Sequence, residues 1–163
     1  MKINTVLLFL LTLLAFQSNA QNNPAPGGDG DDFRTKMLKA VNGLRQKGTV
    51  CGGEKIPSVY KLTWNAQLES SAAAHANDMA QNNFFSHTSS NGNEVDVRIS
   101  AAGYNWSAVG ENIGMGYNEI SEVMKGWRES PDHCKQLMSS EVTDIAIAQN
   151  GTYWVANFAK PMN

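Results

Sequence analysis

The sequence predicts an α+β domain in which helices cover an antiparallel sheet. Two observations carry this. Apolar residues recur at helical spacing from Phe33 to Trp127, and the segment after them alternates around Asn150-Gly151, a strong two-residue turn signal. Helices first and adjacent strands last is the order expected of an α+β chain.

The elements follow in turn. Phe33, Met37, Val41 and Leu44 predict a helix over 32–47, with Asp31 and Asp32 at its start and Gly48 at its end. Residues 49–63 carry two glycines and Pro57 and read as a loop. Asn65 is placed to cap a second helix reaching Asn82, with Leu68, Ala72, Ala76 and Met79 on its apolar stripe. His75 lies on that stripe, so it reads as a hydrogen-bonded core histidine before it reads as chemistry. Residues 84–93 form a loop, 94–102 a short helix closed by Gly103, and 104–117 include a short strand. Ile120, Val123, Met124 and Trp127 share one face of a further helix over 119–127, which Pro131 ends. Residues 142–148 and 152–158 are the arms of the closing hairpin.

The amino-terminal residues specify export. Lys2 precedes an apolar run over 6–16, and Ser18 and Ala20 stand where a signal peptidase selects small residues, giving a signal peptide over 1–20. An uncleaved anchor helix is the alternative, but the run falls short of the roughly 20 residues that span a bilayer. Residues 21–31 are Pro, Gly, Asn and Asp without apolar periodicity and read as a flexible leader. The folded domain is expected over 32–163, secreted to the periplasm or the exterior, and monomeric. An exported chain with two cysteines reads first as one disulfide, Cys51–Cys134. The bridge closes about 80 residues and stabilises by roughly 4 kcal/mol in the chain-entropy model. A catalytic thiol at Cys134, beside His133, is the rival.

Thirteen Lys and Arg against fifteen Asp and Glu give a net charge of −2, with no run of cations. Nucleic acid and anionic membranes are therefore poor partners, and no second apolar stretch suits a transmembrane span. No GxSxG marks a nucleophilic serine, and the glycines at 52–53, 110, 114 and 116 lack the strand–helix setting of a phosphate loop.

Five motifs stand in a fixed order. They are Leu62-Thr63-Trp64-Asn65 with Leu68, Phe85-Ser86-His87, Gly103-Tyr104 with Gly110-Glu111-Asn112-Ile113, Trp127 with Ser130-Pro131-Asp132-His133, and Tyr153-Trp154 with Phe158. Together they resemble the CAP superfamily of cysteine-rich secretory proteins, antigen 5 and pathogenesis-related class 1 proteins, and most of all its bacterial branch, the SCP-domain proteins. The resemblance spans about Phe33 to Pro161. It implies a three-layer α-β-α sandwich around a central antiparallel sheet, and a cleft of two histidines and two acids.

By that resemblance His87 and His133 are the histidines and Glu111 the first acid. Glu129 is a candidate for the second, with Glu94 and Asp132 as rivals. The segment around His133 departs from the eukaryotic signature, so sterol binding, channel block and plant defence do not transfer. Imidazole and carboxylate together suit a divalent metal such as Zn²⁺, with His87, His133 and Glu111 as candidate ligands. A hydrogen-bonded network that only fixes loops is the plainer alternative. The functional expectation is a non-enzymatic binding module whose cleft takes a lipid, a peptide or a cell-envelope partner; the alternative is a metal-dependent hydrolase.

Overall fold

The computed structural model describes residues 30–162. The expected signal peptide over 1–20, and the leader as far as residue 29, lie outside the described residues. Among the described residues no helix is long and apolar enough to cross a membrane.

Helix α1 (Gly30–Lys47) opens the chain and starts two residues before the expected boundary. A small hairpin follows, β1 (Thr49–Cys51) and β2 (Glu54–Ile56), in place of the expected loop. Three-residue strands are too short to show alternation, but Gly52 and Gly53 supply the turn with φ of 59° and 90°. Strand β3 (Thr63–Trp64) leads into α2 (Ala66–Asn82), and Asn65 caps that helix by accepting from the backbone N–H groups of Gln67 and Leu68. Helix α3 (Val95–Ala101) and strand β4 (Trp106–Met115) come next, then α4 (Ile120–Glu129).

Pro131 does more than end α4. It takes the first position of a further helix, α5 (Pro131–Leu137), where its fixed φ fits and its missing N–H costs nothing. Strands β5 (Asp144–Asn150) and β6 (Tyr153–Pro161) form the closing hairpin. Asn150 pairs with Tyr153, so the turn residues are Gly151 and Thr152, one place later than the dipeptide signal implies.

The sheet runs in the order β3-β5-β6-β4. It is antiparallel across β5, β6 and β4, and β3 adds two residues in parallel. Alternation sends one face of β5 and β6 to each helical layer. Ile145, Ile147, Trp154, Ala156 and Phe158 pack with α1, α4 and α5 through Met37, Val41, Val123, Trp127 and Leu137. Ala148 and Val155 pack beneath α2 against Ala72, Ala76 and Met79, while Ala146 and Ala159 join Leu68 and Ile99. The sheet thus forms the middle of a three-layer α-β-α sandwich.

Strand β4 is an outer strand of this sheet, and it brings the two helical layers into register at one edge. Helix α5 is fixed to that edge from two sides. Cys134 is joined to Cys51. Arg45, only 1% exposed, donates to the carbonyls of Leu137 and Ser139 at the helix end and to Tyr60 O.

Gly52 lies against the Pro131 ring, where a Cβ would come too close, whereas Gly53 faces open space. Both have positive φ, so alanine strains the backbone at either place. Gly52→Ala is expected to cost about 1–3 kcal/mol more than Gly53→Ala, because it adds a clash to the strain, as urea unfolding will measure.

Candidate functional site

Glu111 organises the site. It sits in the middle of β4, opposite Asn157 of β6, and its carboxylate is 2% exposed. Such burial is costly for a charge without partners. Oε1 accepts from His87 Nδ1 at 2.8 Å, and Oε2 accepts from Arg98 Nη2 at 2.6 Å. In the amide orientation that satisfies both of its ends, Asn157 donates to Oε2 at 3.1 Å and accepts from Ser71 Oγ at 3.0 Å. Three of about four acceptor positions on the carboxylate are therefore filled.

Arg98 is the residue that sequence reasoning missed. It sits on α3 and is 8% exposed. Its Nη1 donates to His87 O at 2.8 Å, Asn93 O at 2.8 Å and Ser89 Oγ at 3.1 Å. One guanidinium thus gathers the 84–93 loop and pins it to Glu111. The only signal available was indirect: an acid facing inward on a strand requires a cation somewhere, and the spacing does not say where.

His75 braces the same loop from below. It is fully buried on α2, in keeping with its apolar stripe. Ser86 O can only accept, so His75 Nε2 carries the proton and donates at 2.9 Å. Nδ1 then accepts from Ser89 Oγ at 3.2 Å. Burial, followed by the charge on Arg98, lowers its pKa and keeps the ring neutral.

His133 approaches from the opposite layer. It lies on α5, and its carbonyl accepts from Asn112 Nδ2 at 3.0 Å. Asn112 is the neighbour of Glu111 on β4 and faces the other way, so adjacent strand residues hold the two histidine-bearing segments. The histidines are close enough that positive charge on His87 disfavours protonation of His133. His133 is lowered first by burial and then by His87, while His87 is raised chiefly by its hydrogen bond to Glu111.

The three acids proposed for the second carboxylate separate. Glu94 accepts from Thr88 Oγ1 at 2.6 Å and raises His87. Asp132 raises His133. Glu129, at the end of α4, is 62% exposed and pairs with Lys125 at 3.9 Å. The structure does not bring Glu129 to the pair, because the last turn of α4 points it to solvent.

The donor set can be tested against zinc. Glu111 is already committed to His87, Arg98 and Asn157. Among the described residues no three His, Cys, Asp or Glu side chains converge as ligands. At most two imidazoles remain, short of the three protein ligands of catalytic zinc. The arrangement does not fit such a centre.

The comparisons agree with this architecture. The model of the cysteine-rich secretory protein family, CAP, matches residues 38–158. The chain belongs to the CAP family. It is 31% identical over 100 residues to the uncharacterized membrane protein YlbC of Bacillus subtilis, covering 61% of this chain and 29% of that one. It is 28% identical over 129 residues to the uncharacterized protein YkwD of the same organism, covering 77% and 46%. The chain therefore spans less than half the length of these relatives. An extracellular SCP-domain protein from Bacillus anthracis shares the fold at a TM-score of 0.70 and 22% identity, covering 80% of this chain and 41% of that one. An outer surface protein from Borrelia burgdorferi does so at 0.68 and 21%, covering 82% and 95%. The CAP fold thus accounts for the sandwich, with bacterial SCP-domain proteins as its structural neighbours.

The geometry sets several expected outcomes. In a histidine NMR titration, His87 should protonate above and His133 below the usual value near 6.5. Glu111→Gln should bring the His87 value down and so narrow that gap, while burial keeps His133 low. Because the folded pKa of His87 is raised, its contribution to stability is present below about pH 6.5 and lost as pH rises through the folded value. His75 and His133 act in the opposite sense and reduce stability as pH falls below about 6.5. Reduction of Cys51–Cys134 should raise hydrogen exchange across residues 131–137 while β5 and β6 stay protected. Equal exchange around His133 in both redox states would show that the bridge does not hold the site.

Proposed function

We propose that this CAP domain is an exported, non-enzymatic binding module, and that its cleft over the edge of β4 takes a peptide or cell-envelope ligand. The observation that carries the reading is the commitment of Glu111. A carboxylate held by Arg98, His87 and Asn157 is spent on positioning and is a poor base or metal ligand. What it positions is His87, 51% exposed, with Nδ1 fixed and Nε2 left for a partner. Phe85, 45% exposed and two residues earlier on the same loop, adds an aromatic face. An imidazole, a half-buried second imidazole and an aromatic ring suit a polar ligand with some apolar surface better than a lipid tail. The extracellular and outer-surface character of the structural neighbours supports export.

The competing reading is a metal-dependent hydrolase in which His87, His133 and Glu111 position a metal. The committed carboxylate supports it less well.

A peptide array and a panel of cell-envelope fragments, probed with the purified domain, separate the two. The binding reading expects capture without turnover at any zinc loading. It also expects His87→Ala to weaken capture about tenfold or more, the scale of one lost charge-assisted contact, with the fold retained. Cleavage of peptide or ester substrates that is abolished by chelator and by His133→Ala, with the fold retained, would establish the hydrolase instead.

A further inference from the structure

The four-stranded sheet has one long open edge. Its other edge is β3, which is two residues long. Strand β4 runs for ten residues and holds none of the lysine or proline with which proteins blunt an exposed edge. Antiparallel pairing fixes which of its backbone groups face outward. The Gly116 N–H donates to Thr152 O, in register with the pairs Gly114–Trp154, Asn112–Ala156 and Gly110–Phe158. The even-numbered residues therefore bond to β6, and Val109, Glu111 and Ile113 turn their N–H and C=O away from it. The Ile113 carbonyl agrees with this direction, because it accepts from Trp127 Nε1 of α4 at 2.9 Å. Among the described residues, no hydrogen bond is made to the outward groups of Val109 or Glu111.

We infer, on the binding-module reading above, that this edge takes up an extended peptide as a fifth strand, paired through the backbone of Val109 and Glu111. These two residues repeat outward donors and acceptors at about 6.8 Å, the two-residue spacing of an extended chain. Another peptide backbone matches that repeat; a glycan or an acyl chain does not. The open stretch is bounded at both ends. Beyond Glu111 it is closed by α4, since Trp127 Nε1 occupies the Ile113 carbonyl and Gly114 lies against Val123, Trp127 and Tyr117. Before Val109 the register with β6 shifts between Trp106 and Ala108. The edge therefore reads about three residues of its ligand directly.

The surroundings of the edge select a single chain. The 84–93 loop flanks it on one face, where Glu111 holds His87, and α5 flanks it on the other, where Asn112 holds the His133 carbonyl. A second copy of the domain would bring helical layers of its own against both. Residues directly opposite one another in a pleated pair share a face, so a ligand residue opposite Glu111 meets His87 and one opposite Gly110 meets α5. Gln136 of α5 lies across Gly110, where a Cβ would overlap its carboxamide. That carboxamide makes no hydrogen bond among the described residues. Gly110 thus leaves room for a free amide beside the edge. An acidic ligand side chain suits a protonated His87, and a hydroxyl suits Gln136.

The test uses the intact domain and a short fluorescein-labelled peptide, threonine and valine alternating about a central glutamate, which presents apolar and acidic side chains on one face and hydroxyls on the other. N-methylation at successive peptide positions deletes one backbone donor at a time. Loss of affinity is expected to alternate, about tenfold or more at every second position and about threefold or less between them. In amide hydrogen exchange, Val109 and Glu111 are expected to gain protection when peptide is added, while Gly110 and Asn112, already bonded to β6, stay unchanged. Val109→Pro removes an outward N–H and spares the bonds to β6, so it should weaken binding about tenfold or more with the fold retained. Equal losses at all N-methyl positions, exchange at Val109 and Glu111 unaffected by peptide, full affinity in a folded Val109→Pro variant, or no binding at about 1 mM peptide would overturn the strand pairing. So would a dimer joined through β4, seen in sedimentation, that shuts the peptide out. Capture without alternation would overturn the pairing and leave the binding-module reading in place. Cleavage of the peptide with the alternation intact would refute that reading and leave the pairing standing.

Discussion

The site depends on one buried carboxylate. Glu111 lies within a sheet, 2% exposed, where an isolated charge would cost several kcal/mol. The protein offsets that cost with Arg98, His87 and Asn157. Each comes from a different element, so the requirement to satisfy Glu111 fixes α3, the 84–93 loop and β6 relative to β4. Arg98 extends the constraint, because the same guanidinium holds the carbonyls of His87 and Asn93. His75 completes it through Ser86 and Ser89. The exposed His87 is consequently presented on a loop that side chains hold along most of its length.

The second half of the site obeys a different logic. Strand periodicity sends Glu111 toward α3 and Asn112 toward α5, so consecutive residues serve opposite layers. His133 is then placed by covalent and packing means: the Cys51–Cys134 bridge, Pro131 against Gly52, and Arg45 at the end of α5. The unequal pKa shifts of the two histidines follow. His87 owes its raised value to a specific hydrogen bond, and His133 its lowered value to burial.

Much of this was legible in the sequence where a local rule applies. The Asn65 cap, the disulfide, the hairpin and the pairing of the His87 and Glu111 motifs each rest on a residue type at a meaningful spacing or in a recognised order. What was not legible required knowledge of the fold. Pro131 reads equally as a stop and as a first helical residue, so α5 was missed. Strands β1 and β2 are too short to show alternation. Arg98 looks like any helical arginine until α3 is laid against β4. Glu129 shows the converse: its distance from Trp127 was suggestive, but its position on the helix turns it outward.

Glu111 and Arg98 act as one unit. A double-mutant cycle tests it directly, comparing urea unfolding of the parent, Glu111→Gln, Arg98→Met and the double variant. Each single change strands a buried group and is expected to cost about 3–5 kcal/mol. The double variant should be more stable than the sum of the singles implies, with a coupling of about 1–3 kcal/mol. Additive losses, with a coupling near zero, would mean that the pair does not anchor the site and that the loop is held by its other contacts alone.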